Sequence, residues 1–132
     1  NTMFGLISDI ERIGDHAENI AELAEYKIIN KIEFSDNGRE ELEEMHGKVL
    51  KSCKQSLEAF NSGDVDLASK IIMREDKIDT MEEELRKSHI DRLTHGLCIP
   101  NAGVVFLDAI SNMERIADHT EKIAYYVLDS YK

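Results

Sequence analysis

The chain of 132 residues has two cysteines, one proline and no apolar run approaching the roughly 18 residues that a bilayer-spanning helix requires. A membrane span is therefore excluded for this stretch. Cys53 and Cys98 match no zinc-ligand spacing and suggest no disulfide scaffold, which makes a reducing compartment the default. Basic residues are scarce, 16 against 27 acidic ones, for a net charge of −11. That deficit disfavours contact with a phosphate backbone, so nucleic acid is not an expected partner. It also disfavours free inorganic phosphate unless a metal reverses the local field. Asn1-Thr2-Met3 carries neither the basic n-region nor the cleavage site of a signal peptide, and a start on Asn1 suggests part of something longer. No strand alternation stands out.

What the chain has instead is helical periodicity. Turn signals coincide near 36–38, 61–64 and 96–101 and leave four long segments between them. In the first, Met3, Leu6, Ile10, Ile13, Ala17, Ile20 and Ala24 alternate steps of three and four, one face of a helix. Leu42, Met45, Val49, Cys53, Ser56 and Phe60 do so in the second, after the cap candidates Ser35 and Asn37. Gly63 suits the position that closes it, and Asp64 suits the N-cap of the third. The third stripe runs through Leu67, Ile71, Ile78, Met81 and Leu85. The fourth follows Asn101 as cap, through Phe106, Ala109, Met113, Ile116, Thr120, Ile123 and Val127. Helices are thus expected near 2–29, 37–61, 65–95 and 102–131. Short connections between long helices favour an antiparallel up-down-up-down four-helix bundle, an all-α fold.

An internal repeat is the most informative feature. Residues 8–21 read SDIERIGDHAENIA and residues 111–124 read SNMERIADHTEKIA, with nine of fourteen positions identical at an offset of 103. The identities include Glu11/Glu114, Arg12/Arg115, Asp15/Asp118, His16/His119 and Glu18/Glu121. Apolar positions recur by chance in helices, whereas matched charges and histidines seldom do, so the helix is read as duplicated. The simplest parsing is one helical domain over 1–132. In it, residues 37–132 form a three-helix repeat and residues 1–30 the last helix of a truncated first one.

The duplicated charges have a defined geometry. At 100° per residue, Glu11, Asp15 and Glu18 lie roughly 150° from the apolar centre of their helix, and Glu11 and Asp15 are neighbours four residues apart. Glu114, Asp118 and Glu121 repeat this. Like carboxylates at that spacing repel by a few tenths of a kcal/mol. A hard cation would reverse the sign, since carboxylate oxygens bind Mg²⁺, Mn²⁺ or iron. A merely solvated acidic face is the competing reading, and Glu40/Glu44 is such a pair with nothing else to support it. If the third and fourth helices are antiparallel, Asp79, Glu82 and Glu83 fall beside Glu114 and Asp118, with Glu75 one turn further on; Asp79 and Glu83 are taken as the ligand candidates of this helix. His16 and His119 sit at the edge of the stripe and read more naturally as boundary histidines bonding a neighbouring helix than as ligands. Arg12 and Arg115 could orient carboxylates from behind. Cys53 reads as an inert small hydrophobe, and Cys98 lies in a loop where no basic group or partner nearby argues for reactivity.

Glu-Arg-Ile-Gly-Asp-His and its second copy resemble the PhoU family of phosphate-regulatory proteins. The run RLTHGLCIPNAGVVFLD (92–108), leading into NMERIADH, is more specifically similar to the PhoU-like C-terminal domain of bacterial sodium/phosphate cotransporters. The resemblance implies two three-helix repeats, each with a Glu/Asp-x-x-x-Asp motif, here Glu11/Asp15 and Glu114/Asp118. It implies multinuclear metal binding by divalent or ferric ions (iron, Mn or Mg) and a regulatory role. The expected partner is the transmembrane part of a parent cotransporter at the cytoplasmic face of the bacterial membrane, with a homodimer as the assembly. A di-metal carboxylate oxidase is disfavoured, because that design projects Glu-x-x-His motifs into the bundle core. A metal-free helical dimerisation module stands as the alternative.

Overall fold

A computed structural model describes residues 3–130. Among them the fold is all-α: α1 (Met3–Ile29), α2 (Asp36–Ser62), α3 (Val65–Thr94) and α4 (Pro100–Ser130). The expected starts and ends at residues 2 and 131 lie outside the described residues.

Local chemistry explains the boundaries. Ser35 is the cap of α2, its Oγ accepting the Gly38 N–H at 3.1 Å. Gly63 closes α2 in the left-handed conformation, φ 69°, and its N–H donates to the Ala59 carbonyl at 2.8 Å. Asp64 caps α3 by accepting the Leu67 N–H at 3.0 Å. The expected cap Asn101 is displaced. Pro100, with its fixed φ and no N–H to leave unpaired, opens α4, and the first turn closes when Gly103 N–H reaches the Ile99 carbonyl at 3.0 Å. Asn101 instead accepts the Tyr26 hydroxyl at 3.1 Å, tying the end of α1 to the start of α4.

The helices are not equivalent. α2, α3 and α4 pack mutually, whereas α1 packs against α4 alone. Met45, Val49, Ile78, Leu85, Phe106, Ile110, Met113 and Ile116 form the main core, and Ala59, Ala68, Ile71, Ala124 and Val127 continue it towards the other end. α4 runs through the middle, buried on nearly all sides. With a single neighbour, α1 buries a narrow strip. Leu6, Asp9, Ile13, His16, Ile20 and Leu23 are buried or half-buried, while Met3, Ile10, Ala17 and Ala24 of the expected core stripe are exposed. One helix covers a seam, not the wide face that a closed bundle buries.

Candidate functional site

The seam between α1 and α4 uses the same positions of both repeat copies. Adding 103 to Leu6, Asp9, Ile13, His16 and Ile20 gives Ala109, Asn112, Ile116, His119 and Ile123, every one of them buried in α4. The copies run antiparallel and clasp reciprocally. His119 Nδ1 donates to Asp9 Oδ1 at 2.8 Å, and His16 Nδ1 donates to Asn112 Oδ1 at 3.1 Å. The two imidazoles stack between these bonds with centroids 5.8 Å apart. Asn112 also accepts from Asn19 at 3.3 Å and donates to the Asp108 carbonyl at 2.8 Å. The duplicated histidines are thus occupied in joining the two helices through their neighbours at the boundary, as the residue pattern suggests. Position 9/112 differs between the copies, which is why an identity-based reading passed over the histidines' partners.

The duplicated carboxylates sit outside this seam and have different fates. Glu114, Asp118 and Glu121 of α4 face α3, which supplies Glu75, Asp76, Asp79 and Glu82. Glu75 lies deepest, 6% exposed, with Oε2 buried and without a hydrogen-bond partner. Burial first, then the charges of Glu114, Glu121, Asp118 and Asp79, push its carboxyl up to about 9, so it holds a proton at neutral pH. Burial likewise raises Glu114, helped by Asp118, Asp79 and Glu82 and opposed by Arg115. Glu121 is raised by burial, Asp118, Asp76 and Asp79, and lowered by Lys122.

Of the anticipated set, Asp79, Glu114 and Asp118 therefore share one acidic seam. Glu83 does not join them: it is exposed, and its charge bears on none of the three raised carboxyls. Glu82 takes that role while accepting from Arg86 at 2.6 and 2.8 Å. A single residue step turns a helix by 100°, so levelling two helices by sequence could not choose between 82 and 83. Glu75 was a turn away in that levelling and occupies what is a core position of α3. Glu11 and Asp15 are exposed on α1, with neither α2 nor α3 beside them. Arg12 is exposed, and Arg115 acts on Glu114 through its charge.

An all-carboxylate donor set suits a hard cation, and an orphaned buried oxygen on Glu75 is the kind of acceptor that such an ion satisfies. Among the described residues, however, no three His, Cys, Asp or Glu side chains already converge closely enough to hold one. The cysteines differ from each other. Burial pushes the Cys53 thiol up, as an inert position requires. Cys98 does have a basic neighbour, contrary to expectation: His89 Nε2 lies 3.7 Å from its sulfur because the loop folds back over the end of α3.

A family model described as "PhoU domain" matches residues 1–24 and 42–127. The chain is 32% identical over 127 residues to the phosphate-specific transport system accessory protein PhoU homolog 1 of Thermotoga maritima, covering 96% of this chain and 54% of that one. The PhoU homolog of Clostridium acetobutylicum is 28% identical over 122 residues, covering 92% and 54%. The "Putative inorganic phosphate export protein YjbB" of Escherichia coli is 24% identical over 123 residues, 92% of this chain and 23% of that one. The chain thus spans about half the length of the two homologs. No solved structure matches. No helix among the described residues is long and apolar enough to cross a membrane.

Proposed function

The chain belongs to the PhoU family, and on that premise we propose that it is a regulatory helical domain of phosphate transport whose α3–α4 acidic seam takes up a hard metal ion. Glu114, Asp118 and Asp79, with Glu75 behind them, are the carboxylates that would hold it. The observation that carries this reading is Glu75, a buried carboxyl with one oxygen lacking a partner, held protonated by burial and by the acidic side chains around it. Folding such a group is unfavourable, and a cation supplies what is missing: charge neutralisation and an electron acceptor for the orphaned oxygen. Glu11 and Asp15 would form a lesser site, because among the described residues α1 has no neighbour besides α4 to complete it. On this reading α1 is the counterpart of α4 from a first three-helix repeat.

No enzyme is proposed. The histidines that a di-metal carboxylate centre would need are used in the α1–α4 clasp, and the homologs named above are accessory proteins by description. The Escherichia coli relative, matched over less than a quarter of its length, supports a domain borne by a longer chain. We take the parent to be a sodium/phosphate cotransporter with this domain at the cytoplasmic membrane face.

Metal analysis of protein purified without chelator tests the reading, together with thermal melts in Mg²⁺, Mn²⁺ and iron. At 100 times its dissociation constant, an ion should add about 2.7 kcal/mol to stability. Asp118→Asn should remove most of that gain and Asp15→Asn less. No shift with any ion would return the seam to a solvated acidic face. A metal-free dimerising module is the second reading, favoured by the exposed apolar end of α1, where Phe4 is 86% exposed.

A further inference from the structure

α3 has two charged flanks. Ile71, Ile78 and Leu85 mark its buried direction, and Glu75, Asp79 and Glu82 turn from it towards α4. Lys70, Arg74 and Lys77 turn the other way. Arg74 reaches across to α2, where its Nη1 donates to the Oγ of buried Ser52 at 3.1 Å. Between α2 and α3 on this side opens a cavity of about 240 Å³ lined by Lys48, Lys70, Met73, Arg74 and Lys77. No acidic residue lines it. Lys48 and Lys77 also border a neighbouring groove that carries Glu44, Asp76 and Glu84. Even so, among the described residues none of the four cations has a carboxylate within ion-pair distance, and the bond to Ser52 is made to a neutral hydroxyl.

Acidic residues outnumber basic ones by 27 to 16 in this chain. Four cations gathered on one cavity whose own lining holds no acid, and none of them in an ion pair among the described residues, therefore call for an explanation. Their mutual repulsion is unfavourable, and a concave site of one sign focuses its field on a small counter-ion. Partial burial of Arg74 pulls its guanidinium below the usual arginine range.

We propose that Lys48, Lys70, Arg74 and Lys77 form a binding site for a small free phosphoryl anion, such as inorganic phosphate or pyrophosphate. The guanidinium fork suits two oxygens of one phosphoryl group, and the ammonium groups act as point charges around it. The cavity of about 240 Å³ is open to solvent and has room for a phosphoryl group. The net charge of −11 repels both a long polyanion and an anionic membrane surface. Global charge thus argues against phosphate, whereas the local arrangement favours it. The site lies on the opposite flank of α3 from the acidic seam and does not rest on metal binding there.

Titration of ¹⁵N-labelled protein with pyrophosphate and with inorganic phosphate, in chelator at low ionic strength, tests the site. Saturable shifts are expected at the amides around Ser52 and Arg74, unchanged in Asp118→Asn and weakened at least tenfold in Lys70→Gln/Arg74→Gln. Should the loss of the Ser52 bond unfold that variant, Lys48→Gln/Lys77→Gln carries the same expectation. Saturation by pyrophosphate alone would assign the longer anion, and saturation by both the phosphoryl group itself. Absence of saturation, equal affinity in the charge variants, or the same shifts with sulfate or with chloride at matched ionic strength would overturn the proposal.

Discussion

Replacing Glu75 by glutamine should stabilise the protein, and by an amount that depends on pH. In the folded chain the Glu75 carboxyl keeps its proton up to about 9, whereas its ordinary value is 4.5. The unfolded chain therefore gives up this proton near pH 4.5, and folding at any higher pH must take it back. Each pH unit above that point costs about 1.4 kcal/mol, so at pH 7 the penalty is about 3 kcal/mol. The sign follows from the raised folded value: the folded state binds more protons, and stability falls as pH rises from about 4.5 towards 9. Glutamine has nearly the same shape, needs no proton, and can donate its amide to the surrounding carboxylates. Its gain should be near zero at pH 4.5, about 3 kcal/mol at pH 7, and larger at pH 8.5. Urea unfolding of parent and variant in chelator, from pH 5 to 8.5, reads this directly. A difference that stays constant across that range would refute the assignment of a buried, proton-holding Glu75.

Three further outcomes are expected. Asp9→Ala leaves His119 Nδ1 without its acceptor in a nearly dry seam and should cost about 1–3 kcal/mol in denaturant unfolding. Asp9→Asn keeps an acceptor oxygen, as Asn112 does in the other half of the clasp, and should cost less; equal losses would mean that the bond is not what matters there. Ile116→Ala, at a site 6% exposed in the main core, should cost about 2–5 kcal/mol, and an unmoved unfolding midpoint would place the core elsewhere. The protein should self-associate through the open face of α1, and Phe4→Ser/Ile7→Ser should weaken that association in sedimentation velocity; an unchanged oligomer would put the contact on another surface.

The sequence by itself determined the helices and the duplication. Periodicity of three and four is a local property, and Ser35, Gly63 and Asp64 act on backbone groups within three or four residues of themselves, so no tertiary information was needed to place them. The repeat was legible because charges and histidines matched at a fixed offset, and it singled out Glu114 and Asp118; levelling the antiparallel third helix against the fourth then put Asp79 beside them. Tertiary structure decided how far each face is covered. The stripe on α1 reads like that on α4, yet one is half open and the other buried, because burial depends on how many helices surround a position and not on the position's own residue. It also decided rotation about the axes: Glu82 rather than Glu83 meets Glu114, since 100° separates them. Glu75 looked like one more surface acid until α4 closed over it, where desolvation and four like charges changed its protonation. Net charge, summed over the whole chain, concealed the opposite case. Lys48 on α2 and Lys70, Arg74 and Lys77 on α3 become a single cationic cavity only when the two helices lie side by side, because electrostatic focusing depends on distance in space and is invisible in a count.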